Sequence, residues 1–80
     1  MIPIKLFAYL AEAIAPEISV TLPTEIKKED LLAIVAKTYP NYAAEIETCS
    51  VAVNQNFVQD ETISLTKTDE VALIPPVSGG

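Results

Sequence analysis

Gly79 and Gly80 close the sequence and are the only glycines in its 80 residues. At an average usage of about 7%, roughly five or six would be expected, scattered among the turns. Glycine alone lets a backbone approach a ligand with nothing beside it. A Gly-Gly end therefore presents its carboxylate on a thread slim enough for a narrow channel. Two glycines close a chain by chance with odds of roughly 0.5%, which sets a merely frayed terminus behind a working one. The chemistry open to such an end is acyl chemistry. A bare carboxylate is a poor electrophile, but adenylation by an ATP-using partner would turn that of Gly80 into an acyl-adenylate. Attack by sulfur would then give a thiocarboxylate, an anionic and soft nucleophile. Attack by a lysine amine would give a protein conjugate.

Nothing else in the chain offers catalysis. There is no histidine, and Cys49 is the one cysteine. A histidine base, a His-based triad, an internal disulfide and a CxxC metal site are thereby excluded. No bound cofactor or metal is expected, and ATP would be consumed by the activating partner. Eleven acidic against five basic residues give a net charge of −6. That disfavours nucleic acid, whose phosphates reward Lys and Arg, and suits either docking on a basic partner surface or simple solubility. The opening Met1-Ile2-Pro3-Ile4-Lys5 lacks the basic and apolar regions of a secretory signal, and no apolar run approaches the ~20 residues of a membrane span. A cytoplasmic protein is expected.

The elements must hold this tail out from a folded body. Ile2, Ile4, Leu6 and Ala8 alternate, as do Ile18, Val20 and Leu22, which predicts two half-buried strands. The short link between them, Leu10 to Ala15, makes the pair antiparallel. From about Lys28 to Tyr39 the stripe Leu31, Leu32, Val35, Ala36 and Tyr39 predicts a helix that Pro40 stops. Ile26 before it is placed to staple onto Leu31. Asn41 to Glu47 adds a further helical turn. Ser50-Val51-Ala52-Val53 predicts a strand, Asn54-Gln55-Asn56 a turn with two residues tolerant of left-handed backbone, and Phe57-Val58 the return. Thr62 to Leu65 is a short extended piece, and Glu70 to Ile74 the last strand. The order β-β-α-β-β is an α+β domain with one helix across a mixed sheet. Pro75 and Pro76 cannot serve a sheet interior. The body is therefore assigned to residues 1–74 and an extended tail to residues 75–80. The prolines pre-extend the tail, so less freedom is lost when Pro76, Val77, Ser78 and Gly79 thread into a partner.

The ending Asp69-Glu70-Val71-Ala72-Leu73-Ile74-Pro75-Pro76-Val77-Ser78-Gly79-Gly80 resembles that of the MoaD family, the small sulfur-carrying subunits of molybdopterin synthase. Ile4-Lys5-Leu6-Phe7-Ala8-Tyr9-Leu10-Ala11-Glu12 resembles the family's first strand, and Ala52-Val53-Asn54-Gln55 its mid-chain strand and turn. The resemblance covers essentially the whole chain. It implies a ubiquitin-like β-grasp fold with first and last strands paired in parallel. It implies adenylation by a MoeB-type enzyme, conversion of Gly80 to a thiocarboxylate, and insertion of the tail into a MoaE-type large subunit, in a heterotetramer, to give sulfur to cyclic pyranopterin monophosphate. It further implies an apolar patch that docks both partners, at the positions of Phe7, Phe57 and Ile74. Alternation puts Ile74 opposite Leu73 and Phe7 opposite Leu6, hence outward, while core packing is the rival reading for Phe7 and Phe57. Two departures stand out: Ala11 where many members have Arg, and Thr68 where the turn before the last strand usually has Gly. A thiamine-type (ThiS) sulfur carrier, a ubiquitin-like protein modifier and an inert interaction module are the alternatives. Cys49 reads as a small buried apolar residue. Glu45, Glu47, Asp60, Glu61, Asp69 and Glu70 read as solvated surface.

Overall fold

A five-stranded sheet in the order β2-β1-β7-β4-β5 carries the fold, with a separate two-stranded ribbon of β3 and β6. The computed structural model describes residues 2–66 and 68–76. β1 (Ile2–Leu6) pairs antiparallel with β2 (Glu17–Val20) and parallel with β7 (Val71–Ile74). β7 lies between β1 and β4 (Ser50–Val53), so the last strand is central and paired on both sides. Its residues explain the position. Val71 and Leu73 are fully buried on the helix side, while Ala72 and Ile74 face outward and are only part-covered.

α2 (Lys28–Thr38) buries Leu31, Leu32, Val35 and Ala36, a stripe at helical spacing. Glu29 and Asp30 in its first turn and Lys37 in its last both favour the macrodipole. Ile26 and Leu31 are buried in one core at the N′ and N4 positions of a staple. Pro40 ends the helix by forcing its predecessor out of helical geometry, and Tyr39 sits at φ −124° and ψ 72°. A 3₁₀ turn (Pro40–Tyr42) and α3 (Ala43–Glu47) follow, and Ile46 is fully buried.

Several boundaries differ from the alternation pattern. Ala8 is not a strand residue, because the chain leaves β1 after Leu6 and enters a short helix, α1 (Ala8–Ala13), that inserts Leu10 into the core. Thr21 and Leu22 leave β2 because Val20 already pairs with Ile2, the first residue of β1. Ile26 reads in the sequence only as a staple for the helix, yet β3 (Glu25–Lys27) pairs antiparallel with β6 (Thr62–Ser64), with Ile26 opposite Ile63. At the hairpin between β4 and β5 (Asn56–Phe57), Asn54 and Gln55 take φ 51° and 71°. Those are the positive values a two-residue primed turn demands. Asn56, expected in the turn, pairs instead with Val53 as the first residue of β5.

Candidate functional site

Phe7, Phe57 and Ile74, expected together as one apolar patch, line one hollow on the outer face of the sheet. Phe7 is 45% and Phe57 62% exposed, which excludes core packing for both, and Ile74 is half-buried. The cause is strand alternation at three places. Phe7 follows inward Leu6, Ile74 follows inward Leu73, and Phe57 pairs with Ala52 across the hairpin. Ala52 also pairs with Ala72 of β7. Two methyl side chains beside two phenyl rings leave a hollow of about 400 Å³, lined by Lys5, Phe7, Ala52, Gln55, Phe57, Glu70, Ala72 and Ile74. It is an apolar dent with a polar rim, the form of a surface that receives apolar side chains of another protein.

The rim is ordered by contacts that sequence reading missed. Lys5 Nζ donates to Glu70 Oε2 at 2.9 Å, and this bond, with the charge of Glu70, raises the Lys5 ammonium above its ordinary range. Asn54 Nδ2 donates to Asp69 Oδ1 at 3.0 Å, and the Thr66 N–H donates to Asp69 Oδ2 at 2.7 Å. The Asn54 amide and then the Thr66 N–H hold the Asp69 carboxyl below its ordinary range. Asp69 and Glu70, expected as free solvated surface, are therefore structural partners. Asn54 and Lys5 lie 15 and 65 residues away from them in sequence, so no local pattern could reveal those two partners, whereas Thr66 is only three residues from Asp69. Glu61 is likewise engaged, accepting the Gln59 N–H at 2.7 Å.

Pro76 is exposed, and Pro75 before it is buried. Val77, Ser78, Gly79 and Gly80, the remainder of the expected tail, lie outside the described residues. Register places Cys49 next to the Pro75 position, one step beyond the Ser50–Ile74 pair. The Cys49 thiol is 2% exposed, contacts the Glu45 carbonyl at 3.4 Å, and is pushed up to about 11 by burial. It stays protonated at neutral pH, which suits a packing residue rather than a nucleophile. Ala11 is half-buried against the core. Thr68 is exposed in the stretch before β7.

A larger hollow of about 450 Å³ lies between the start of α2, the end of α3 and the loop after β5, lined by Lys27, Lys28, Glu29, Leu32, Glu47, Gln59 and Asp60. Acids and lysines line it together, so it selects neither sign of ion. Among the described residues no three His, Cys, Asp or Glu side chains gather as a metal site, and no helix is long and apolar enough to cross a membrane.

A mixed sheet with parallel β1 and β7 at its middle, crossed by one principal helix, defines the ubiquitin-like β-grasp class. Residues 4–80 match the ThiS family. The molybdopterin synthase sulfur carrier subunit of Dictyostelium discoideum is 38% identical over 80 residues, covering 96% of this chain and 93% of that one. Among solved structures, small archaeal modifier protein 1 of Haloferax volcanii is 29% identical with a TM-score of 0.71, over 99% of this chain and 98% of that one. A chain from Pyrococcus furiosus assigned as molybdopterin converting factor subunit 1 is 25% identical with a TM-score of 0.73, over 95% and 97% of the two chains. The chain belongs to the ThiS family, on the branch of the MoaD-type molybdopterin synthase sulfur carrier subunits.

Proposed function

We propose that this chain is the sulfur-carrying subunit of a molybdopterin synthase, a donor rather than a catalyst. The observation that carries the reading is the geometry of β7. One strand lines the apolar dent with Ala72 and Ile74 and then passes directly into Pro75 and Pro76. A partner seated on Phe7 and Phe57 therefore receives the chain end beside its own docking surface. In this reading the Gly80 carboxylate attacks the α-phosphorus of ATP on a MoeB-type enzyme and releases pyrophosphate. A sulfide equivalent then attacks the acyl carbon, AMP departs, and a thiocarboxylate remains. The tail, Pro76 to Gly80, next enters a MoaE-type large subunit, where the sulfur attacks a carbon of cyclic pyranopterin monophosphate and displaces an oxygen substituent. Water then cleaves the acyl–sulfur bond, which leaves sulfur on the pterin and returns the Gly80 carboxylate. Assembly as a heterotetramer with two large subunits belongs to the same proposal.

The test is intact-mass spectrometry after incubation with the host's adenylating enzyme, ATP and a sulfur donor. Exchange of one oxygen for sulfur, localised to Gly80, is expected. An unchanged mass with authentic partners counts decisively against carriage. The likeness to small archaeal modifier protein 1 favours a second reading, in which a lysine amine takes the activated Gly80 and forms an isopeptide. Tryptic digests of host-cell protein in which a lysine carries the remnant that follows Lys67, Thr68 to Gly80 of this chain, would support it. A search of such digests that finds none would leave sulfur carriage alone.

A further inference from the structure

Asn54 is bonded through all of its polar groups. Its N–H donates to the Glu70 carbonyl at 2.7 Å, and its Oδ1 accepts the Glu70 N–H at 2.9 Å. Its Nδ2 donates to Asp69, and its own carbonyl accepts from Asn56 Nδ2 at 3.1 Å. The side-chain amide thereby adds a rung to the β4–β7 ladder beyond the Val53–Val71 pair. Glu70, gripped by this rung, reaches on to Lys5 of β1.

The consequence lies in the docking dent. One wall, Gln55 and Phe57, stands on the hairpin, and the other is formed by Ala72 and Ile74 of β7 with Glu70 just before the strand. β5 is only two residues long and pairs at Ala52–Phe57 and Val53–Asn56, with one further bond from the Val58 N–H to the Val51 carbonyl at 2.9 Å. So short an edge strand fixes little by itself. The Asn54 clasp is what joins the hairpin to β7 at the end of the ladder. We propose that Asn54 is a positioning residue for partner docking: it sets the place of Phe57 relative to Ile74 and Phe7. This rests on the docking reading above, with the large subunit of the synthase as occupant. An aromatic side chain held in place before association has less freedom to lose when the partner arrives.

The plainer role for Asn54 is turn former, since asparagine tolerates positive φ. Glycine meets that need better, so Asn54→Gly separates the two roles: it keeps the turn and removes the amide. The chain has two phenylalanines, so 4-fluorophenylalanine reports on Phe7 and Phe57 alone, assigned with Phe57→Tyr. Fluorine NMR of the free protein and titration with the large subunit are both run well below the unfolding temperature. In Asn54→Gly the Phe57 signal shifts and broadens while that of Phe7 holds. Affinity for the large subunit falls roughly fivefold or more, on the scale of losing a well-placed interface aromatic. Asn54→Asp keeps the acceptor for the Glu70 N–H, sets a second carboxylate against Asp69, and moves both readouts the same way. An unmoved Phe57 signal, or parental affinity in both variants, overturns the positioning role. Phe57→Ala binding as tightly as the parent sinks the docking reading itself, whatever the fluorine signal does.

Discussion

Ala8 holds φ at 55°, a left-handed backbone that its Cβ makes unfavourable by roughly 1–2 kcal/mol. The strain has a clear cause. Immediately after Phe7 is set on the outer face, the chain must turn and put Leu10, fully buried, into the core. Glycine would relieve the strain but loses about 0.5–1 kcal/mol more entropy on folding. Ala8→Gly should therefore gain about 0.5–1 kcal/mol net, and Ala8→Val should lose stability, both read from urea midpoints. A loss for the glycine variant would mean that the Ala8 methyl packs usefully. This position was illegible in the sequence, where Ala8 merely continued the alternation of Ile2, Ile4 and Leu6. One buried leucine is too little to mark a helix of six residues. The outward aspect of Phe7 and Ile74 was legible, because each sits one residue after a buried leucine.

At the scale of elements, the join between the β4–β5 hairpin and the loop into β7 rests on Asp69. Its carboxyl is held below the ordinary range by the Asn54 amide and the Thr66 N–H. A lowered folded value means that the charged form is favoured by folding. The contribution is present above the unfolded carboxylate pKa of about 4 and is lost as pH falls through the folded value. Asp69→Asn should flatten the acid limb of the stability curve, measured as urea midpoint from neutral pH downward. Glu61 is also lowered, by its own and the Gln59 backbone N–H, so some acid sensitivity survives in the variant. An acid limb identical to the parent would show that Asp69 adds nothing to it. The strands with two or more inward apolar residues, β1, β2, β4 and β7, announced themselves, as did the α2 stripe. β3 did not, since Ile26 is its only buried residue and its pairing with Ile63 is settled by a partner far along the chain. The turn at Asn54 and Gln55 was expected, but its second left-handed residue is Gln55 rather than Asn56, because nothing local distinguishes a glutamine forced to positive φ from one in extended backbone.

For the whole molecule the proposed function divides the labour between a body that docks and an end that reacts. The buried cluster runs from Ile2 to Leu73 and the last sheet rung is Ser50–Ile74. Removing Gly80, or adding one residue after it, should leave the unfolding midpoint within about 0.5 kcal/mol of the parent, as changes away from the core do. Sulfur transfer should respond very differently. One residue of extended chain displaces the reacting atom by about 3.5 Å, whereas reaction requires approach to about 3–3.5 Å and a misplacement near 1 Å already costs on the order of a hundredfold. Both length variants should therefore bind the large subunit with parental affinity through Phe7, Phe57 and Ile74, yet transfer sulfur at least about a hundredfold more slowly at saturation. Phe57→Ala should do the reverse, weakening binding while transfer at saturating partner stays near parental. Single-turnover rates measured across a titration of the large subunit separate these effects. If lengthening the tail weakened binding and spared the saturated rate, docking and reaction would not be divided between the face and the end.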